Sequence, residues 1–241
     1  MATPINHSVI KAFDTLDLFS AERPELSAEI VARELQISYA TAHRFLVTLE
    51  SAGVLSTVRR GIFAPGPRLS RLGQMADDLA PLPRALQATL DHLRQELNES
   101  VMACRYTPRG PICVAVSQAQ RPISVNIRIG TTLPMLPTAQ GKLFLADMAP
   151  RARQSWAVAQ GIDPEGVQAL ALQLDAVRAQ GFARNRGDNE PDIAAVSVPV
   201  RRDGRTVLTL SAFGTLGRLD DAFIQNATVK LMEAAAALAQ A

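Results

Sequence analysis

Histidine is scarce in this chain and confined to one end. His7, His43 and His92 all precede residue 100. A Ser-His-Asp or Cys-His arrangement in the C-terminal half therefore has no imidazole to work with. Cysteine is scarcer still, with Cys104 and Cys113 only. Two cysteines are too few for a disulfide framework and fit a reduced, cytoplasmic chain. Aromatic residues make up 5%, so the core must lean on Leu, Val, Ile and Ala. No apolar run reaches the roughly 18 residues that cross a bilayer. Residues 1–7 lack the basic-then-apolar order of a signal peptide. Nucleotide loops are missing too. Gly141-Lys142 is followed by Leu143, and Leu136 stands where the first glycine of a P-loop belongs. No G-x-G-x-x-G or H-E-x-x-H occurs. These absences argue against an enzyme and against a membrane protein, and nothing calls for a cofactor. Cys104, Cys113 and His92 would supply three metal ligands only if their strands paired suitably. Two isolated cysteines on neighbouring strands are more often buried structural residues.

What is present reads as globular. Of 241 residues, 47% are hydrophobic and 20% charged, which excludes disorder and allows one or two domains. The net charge of +2 says little, but its distribution says more. Residues 1–80 hold eight basic and nine acidic side chains, so they form no basic arm. Between Ser38 and Gly73, however, five arginines face one acid, Glu50. A footprint for a polyanion is confined to that stretch.

Ser8 to Ser20 carries Val9, Phe13, Leu16 and Phe19 at helical spacing, one apolar stripe. Ser27 is a good N-cap for a second helix, with Glu29 in its first turn and Leu26 and Val31 at the staple positions. Ser38 caps a third helix, Tyr39 to Ala52, which Gly53 ends. Its buried stripe is Ala42, Phe45, Leu46 and Leu49. The opposite face presents Ala40, His43, Arg44, Val47 and Ser51, flanked by Thr41 and Thr48. Two helices separated by Gln36-Ile37-Ser38 make a helix-turn-helix pattern. Val54 to Thr57 and Ile62 to Ala64 bracket Arg59-Arg60-Gly61, a hairpin with a basic tip, or wing.

Helical patterning runs from Pro67 to Glu99 and is broken at Pro81-Leu82-Pro83, which places a domain junction near residue 80. Leu86, Leu90, Leu93 and Leu97 form a stripe that serves either a dimer seam or packing within its own domain. Beyond it, Ser100 to Tyr106 and Pro111 to Ser117 read as strands, as does Ser124 to Ile129 from its alternation. Thr138 to Met148, Pro150 to Gln160 and Pro164 to Gln180 read as helices. Ile193 to Val200 and Thr206 to Phe213 flank Asp203-Gly204, a hairpin signal, and Asp220 to Gln240 is a final helix. The expected order is βββ-ααα-ββ-α, an α+β domain with a mainly antiparallel sheet.

At these residues the chain resembles the IclR family of bacterial transcription regulators. In the first domain the likeness rests on Ser27 to Val54 and on Phe63-Ala64-Pro65-Gly66-Pro67-Arg68-Leu69-Ser70-Arg71-Leu72-Gly73. In the second it rests on Gly130-Thr131-Thr132-Leu133-Pro134, Thr138 to Ala146, Gly181-Phe182-Ala183 and Ile193 to Val200, in the family's order. The resemblance implies a winged helix-turn-helix domain over residues 1–79, a linker helix over 80–98 and a GAF/profilin-like effector domain over 99–241. It implies a homodimer or dimer of dimers on palindromic operator DNA, whose affinity a ligand shifts. Three positions depart from the family pattern. Gln36 replaces the turn glycine, Phe63 the wing tyrosine, and Arg184-Asn185-Arg186-Gly187 an acidic pair.

For DNA, a helix in the major groove must offer base-edge donors and acceptors. Arg44 suits a guanine. Thr41, His43 and Thr48 reach bases or phosphates, with Ala40 on the same face. Ser38 and Tyr39 open the helix where N–H groups favour a phosphate. Arg59 and Arg60 suit phosphate or minor-groove contacts of the wing. For the effector, Gly130 and Thr138-Ala139-Gln140-Gly141 open a helix whose free N–H groups hold a carboxylate. The resemblance adds Val125 and Ile127, Asn185 at the loop position of the acidic pair, and Ala195, Ser211 and Phe213 from the last two strands. The expected effector is a small organic acid, aromatic acids included. The alternatives are a constitutive DNA-binding regulator without an effector and a metal sensor.

Overall fold

The computed structural model describes residues 5–20, 22–79 and 82–240. Residues 1–4 of the segment read for a leader, and Pro81 of the proline joint, lie outside them. The chain divides into two compact units at Leu82/Pro83.

The first unit follows the capping signals closely. Helix α1 spans His7–Leu16, α2 Ala28–Glu34 and α3 Tyr39–Ser51. The Ser27 hydroxyl accepts from Ile30 N at 3.4 Å and caps α2. It also hydrogen-bonds the Glu29 carboxylate, which holds that group below its usual pKa. Ser38 caps α3 by accepting from Thr41 N at 3.2 Å, and Gly53, at φ +71°, ends it. The turn between α2 and α3 places Gln36 at φ +52°, the left-handed position that a glycine would occupy without strain. Strands β2 (Leu55–Arg59) and β3 (Ile62–Pro65) form the wing, and α4 follows at Pro67–Leu79. A two-residue strand β1 (Leu26–Ser27), unforeseen from sequence, pairs with β3 through Leu26↔Phe63. It completes a small antiparallel sheet of order β1-β3-β2. Leu26, Val31, Ala42, Leu46, Leu55 and Phe63 make the core.

Helix α1 corrects one expectation. It ends at Leu16, and its stripe is only half used. Leu16 and Phe19 pack on the core, whereas Val9 is 50% and Phe13 59% exposed. On α4, Leu72 and Met75 are also exposed.

In the second unit, α5 (Leu86–Leu97) buries all four stripe leucines within its own unit, against strands β4 (Ser100–Arg105) and β5 (Ile112–Ser117). Three helices follow: α6 (Ala139–Asp147), α7 (Pro150–Ala159) and α8 (Pro164–Gln180). Then come β6 (Ala183–Arg186), β7 (Ile193–Arg202), β8 (Arg205–Thr215) and α9 (Asp221–Gln240). The sheet is antiparallel, in the order β5-β4-β8-β7-β6. Its two faces follow from the period of two. Met102, Cys104, Ala195 and Phe213 join α6 in one core cluster. The intervening Val101, Ala103, Ala194, Val196 and Ala212 are equally buried and face the layer of α5 and α9. The Asp203-Gly204 turn has positive φ at both residues, 50° and 74°, as a two-residue hairpin with right-handed twist requires.

Two elements differ from the expected order. Residues 124–129 form no strand. Their alternation is real, since Val125 and Ile127 pack on the core cluster while Ile129 is exposed. The segment is held largely by Gln118, whose Nε2 donates to Ile127 O at 2.8 Å, rather than by a ladder. Conversely, Ala183–Arg186 is a strand, paired with β7 through Asn185↔Ala195. Asn185 therefore lies inside the sheet and not on a loop. The observed order is ββ-ααα-βββ-α.

Candidate functional site

On α3, Ala42 and Leu46 are fully buried, which rotates Ser38, Tyr39, Ala40, His43, Arg44 and Thr48 outward together. Thr41 is half-buried and hydrogen-bonded to Ser38 Oγ at 2.9 Å. Tyr39 is 54% exposed and its ring stacks on His43, with centroids 6.2 Å apart and planes 19° apart. The Thr48 hydroxyl donates to Arg44 O at 2.7 Å, leaving its oxygen free to accept. The Arg44 guanidinium has no partner among the described residues. The two wing arginines differ from each other. Arg59 is held by Glu25 at 2.9 Å, a contact across 34 residues that sequence reading missed. Arg60, in the turn beside Gly61, is exposed and unpaired among the described residues. Arg68 is spent on Ala52 O at the end of α3, at 2.8 Å.

In the second unit the expected ligand residues separate into two groups. Asn185, Ala195 and Phe213 are cross-strand neighbours on β6, β7 and β8, and all three are buried. Ala195 and Phe213 share one cluster with Ala139, Val125 and Ile127. Ser211 is two residues along β8 from Phe213 on the same face, hydrogen-bonded to Ser197 Oγ at 2.6 Å. Gly130 falls outside this group. It sits in an exposed turn, and its N–H is spent on Cys113 O at 2.8 Å, so it does not open the helix. The start of α6 is set by Thr138, whose hydroxyl accepts from Gly141 N at 3.2 Å and donates to Pro134 O at 2.6 Å. The N–H groups of Ala139 and Gln140 have no partner among the described residues, so the positive end of the helix is partly unspent.

Sequence reading also missed Lys142. It is buried on α6, and its ammonium donates to Asp188 Oδ2 at 2.5 Å and to Arg184 O at 3.2 Å. Asn185 Oδ1 accepts from Asp188 N at 2.8 Å, which fixes the same turn. Its signal was Gly141-Lys142, weighed only as a failed nucleotide loop. A cavity of about 480 Å³ opens beside Lys142 and Asp188, walled by Leu136, Pro137 and Ile162.

Cys104 and Cys113 lie opposite each other on β4 and β5, buried in the same cluster. Their mutual hydrogen bond, joined by burial, pushes the Cys104 thiol up; the same bond, with a second to the Ala115 backbone, draws Cys113 down against its burial. His92 is elsewhere, exposed on α5 beside Glu96. Among the described residues no three such groups gather as a metal site. No helix among them is long and apolar enough to cross a membrane.

Comparison with known proteins completes the picture. The chain is 26% identical over 248 residues to the HTH-type transcriptional regulator XynR of Escherichia coli, covering 99% of this chain and 98% of that one. An IclR transcriptional regulator from Alicyclobacillus acidocaldarius superposes with a TM-score of 0.76 at 22% identity, over 98% of this chain and 99% of its own. An IclR homolog from Microbacterium hydrocarbonoxydans, solved in complex with 4-hydroxybenzoate, gives 0.73 at 20% identity, over 96% and 97%. The family model of the IclR helix-turn-helix domain matches residues 8–59, and that of the bacterial transcriptional regulator IclR C-terminal domain matches residues 78–240. With the family's helix-turn-helix domain at one end and its C-terminal domain over most of the rest, the chain belongs to the IclR family of DNA-binding transcription regulators.

Proposed function

We propose that this regulator is ligand-responsive. The second unit takes a small organic acid, aromatic acids included, and the occupied state has a different affinity for operator DNA upstream of a catabolic operon. The supporting observation is the pairing of two unspent features. Arg44 stands on the outward face of α3 with no partner among the described residues. Ala139 and Gln140 leave N–H groups open at the start of α6, whose first residue shares a cluster with Ala195 and Phe213. A carboxylate satisfies the open N–H groups, and the apolar body of the acid lies against the small Ala195 and the Phe213 ring. Lys142, one residue beyond Gly141 on the same helix and held by Asp188 from the turn after β6, adds positive potential when a ligand draws on its ammonium. The complex of the Microbacterium homolog with 4-hydroxybenzoate is the reason aromatic acids head the panel. We place DNA contacts at Ser38, Tyr39, Ala40, Thr41, His43, Arg44 and Thr48, with Arg60 and Arg59 on the wing.

The test is a mobility-shift titration on the DNA upstream of the chain's own gene, at fixed salt, with and without aliphatic and aromatic acids. Retardation that changes with one acid supports the reading and names the effector class. Retardation indifferent to every acid supports a constitutive regulator instead. Absence of specific retardation overturns the operator assignment.

A further inference from the structure

The far end of α6 carries a second cavity, with a different chemistry from the start of the helix. It encloses about 400 Å³, within the range of small-molecule sites, roughly 300–1,000 Å³. Its floor is aromatic and soft. Phe144 is buried, Tyr106 is tilted against it with ring centroids 5.7 Å apart, and Met148 completes the surface. Its rim is cationic. Arg178 from the last turn of α8 and Arg205 from the β7–β8 hairpin line it, and neither has a partner among the described residues.

The acid in the cavity, Asp147, is already occupied. It accepts from Arg201 at 2.9 Å, from Thr206 N at 3.0 Å and from the Thr206 hydroxyl. Arg201 balances its charge, so the two rim arginines remain in excess. An unpaired guanidinium pair above an aromatic floor is poorly explained by folding alone. It contributes nothing to the core, and two like charges beside one cavity repel.

We propose that this cavity is a binding site for a planar aromatic carboxylate, separate from the cleft at the start of α6. The ring lies on Phe144, Tyr106 and Met148, where edge-to-face and sulfur–aromatic contacts are favourable. The carboxylate points outward, away from the negative C-terminal end of α6, and takes charge-assisted hydrogen bonds from Arg178 and Arg205. This assignment does not rest on the effector cleft, and either site can fail without the other.

Methionine methyl groups report on the site. Met148 lines this cavity at the edge of the core cluster, whereas Met102 and Met135, within that cluster, do not line it. The full chain, labelled with ¹³C at the methionine methyls and with Met148 assigned through Met148→Leu, is titrated with benzoate. The expected result is a saturable ring-current shift of the Met148 resonance. In the double variant Arg178→Gln/Arg205→Gln, whose substitutions are at exposed positions, the apparent Kd rises about tenfold or more. Unmoved methyl resonances in the ligand-free variant establish that it is folded. Benzyl alcohol, which keeps the ring and lacks the charge, shifts Met148 far less. A stationary Met148 overturns the site. If Met102 or Met135 moves instead, benzoate binds outside this cavity. A Met148 shift undiminished in the double variant, or matched by benzyl alcohol, also overturns it.

Discussion

Arg44 and Gln36 show how single residues divide the work of the first unit. Arg44 has no partner among the described residues, so its guanidinium is available for a base edge, and truncation leaves the fold intact. Arg44→Ala is expected to relax discrimination at one operator position by about 1–3 kcal/mol, measured by competition among single-base operator variants. Equal discrimination by the variant and the parent would remove Arg44 from base readout. Gln36 carries the opposite kind of information. At φ +52° it holds a left-handed turn with a side chain that disfavours it. The strain of roughly 1–2 kcal/mol outweighs the roughly 0.4–1 kcal/mol by which glycine loosens the unfolded chain. Gln36→Gly is therefore expected to raise stability by about 0.5–1 kcal/mol in a urea titration. A loss of stability would mean that the Gln36 side chain makes a contribution larger than its strain.

At the scale of elements, the wing and α6 are each tuned by one close contact. Arg59 is tied to Glu25, whereas Arg60 is not. Arg60→Ala is expected to weaken binding to all sequences alike and to reduce the salt slope by about one. Arg59→Ala also releases Glu25, so its effect mixes lost attraction with a new repulsive charge. Helix α6 starts hard against the backbone of the preceding loop, where a Cβ at Gly141 would lie 1.9 Å from Met135 O. Gly141→Ala must push that loop off the helix, and is expected to cost about 1–3 kcal/mol or more.

The elements legible in sequence were those with local signals. Ser27, Ser38 and Gly53 mark the helix ends of the first unit, and Asp203-Gly204 marks the hairpin. The ones that were not legible depend on distant partners. Ala183–Arg186 is a strand because β7 offers it an edge, and its Arg184-Asn185-Arg186 sequence gives no strand signal by itself. Residues 124–129 alternate like a strand but are pinned by the Gln118 side chain instead. The same limit applied to the candidate site. The outward face of α3 follows from helical period and capping alone. The Arg59–Glu25 and Lys142–Asp188 pairs join residues 34 and 46 apart, and neither spacing carries a signal.

Over the whole molecule, half of the α1 stripe remains exposed. Val9 and Phe13 on α1, with Leu72 and Met75 on α4, present apolar surface from one unit that a second copy would cover. A homodimer, or a dimer of dimers, would also match the two half-sites of a palindromic operator. Phe13→Ser with Val9→Ser is expected to shift the sedimentation coefficient toward the monomer and to weaken operator binding. An unchanged sedimentation coefficient would show that this surface does not hold a second copy.

In the proposed function acid and operator are coupled through one molecule, and coupling is reciprocal. If an acid changes operator affinity by some factor, the operator must change the affinity for that acid by the same factor. The most direct measurement is calorimetric titration of the active acid into the free protein and into the protein saturated with operator DNA, at one salt concentration. The ratio of the two dissociation constants is expected to equal the ratio of operator affinities measured with and without the acid. An acid that binds equally well in both titrations would contradict ligand-gated regulation.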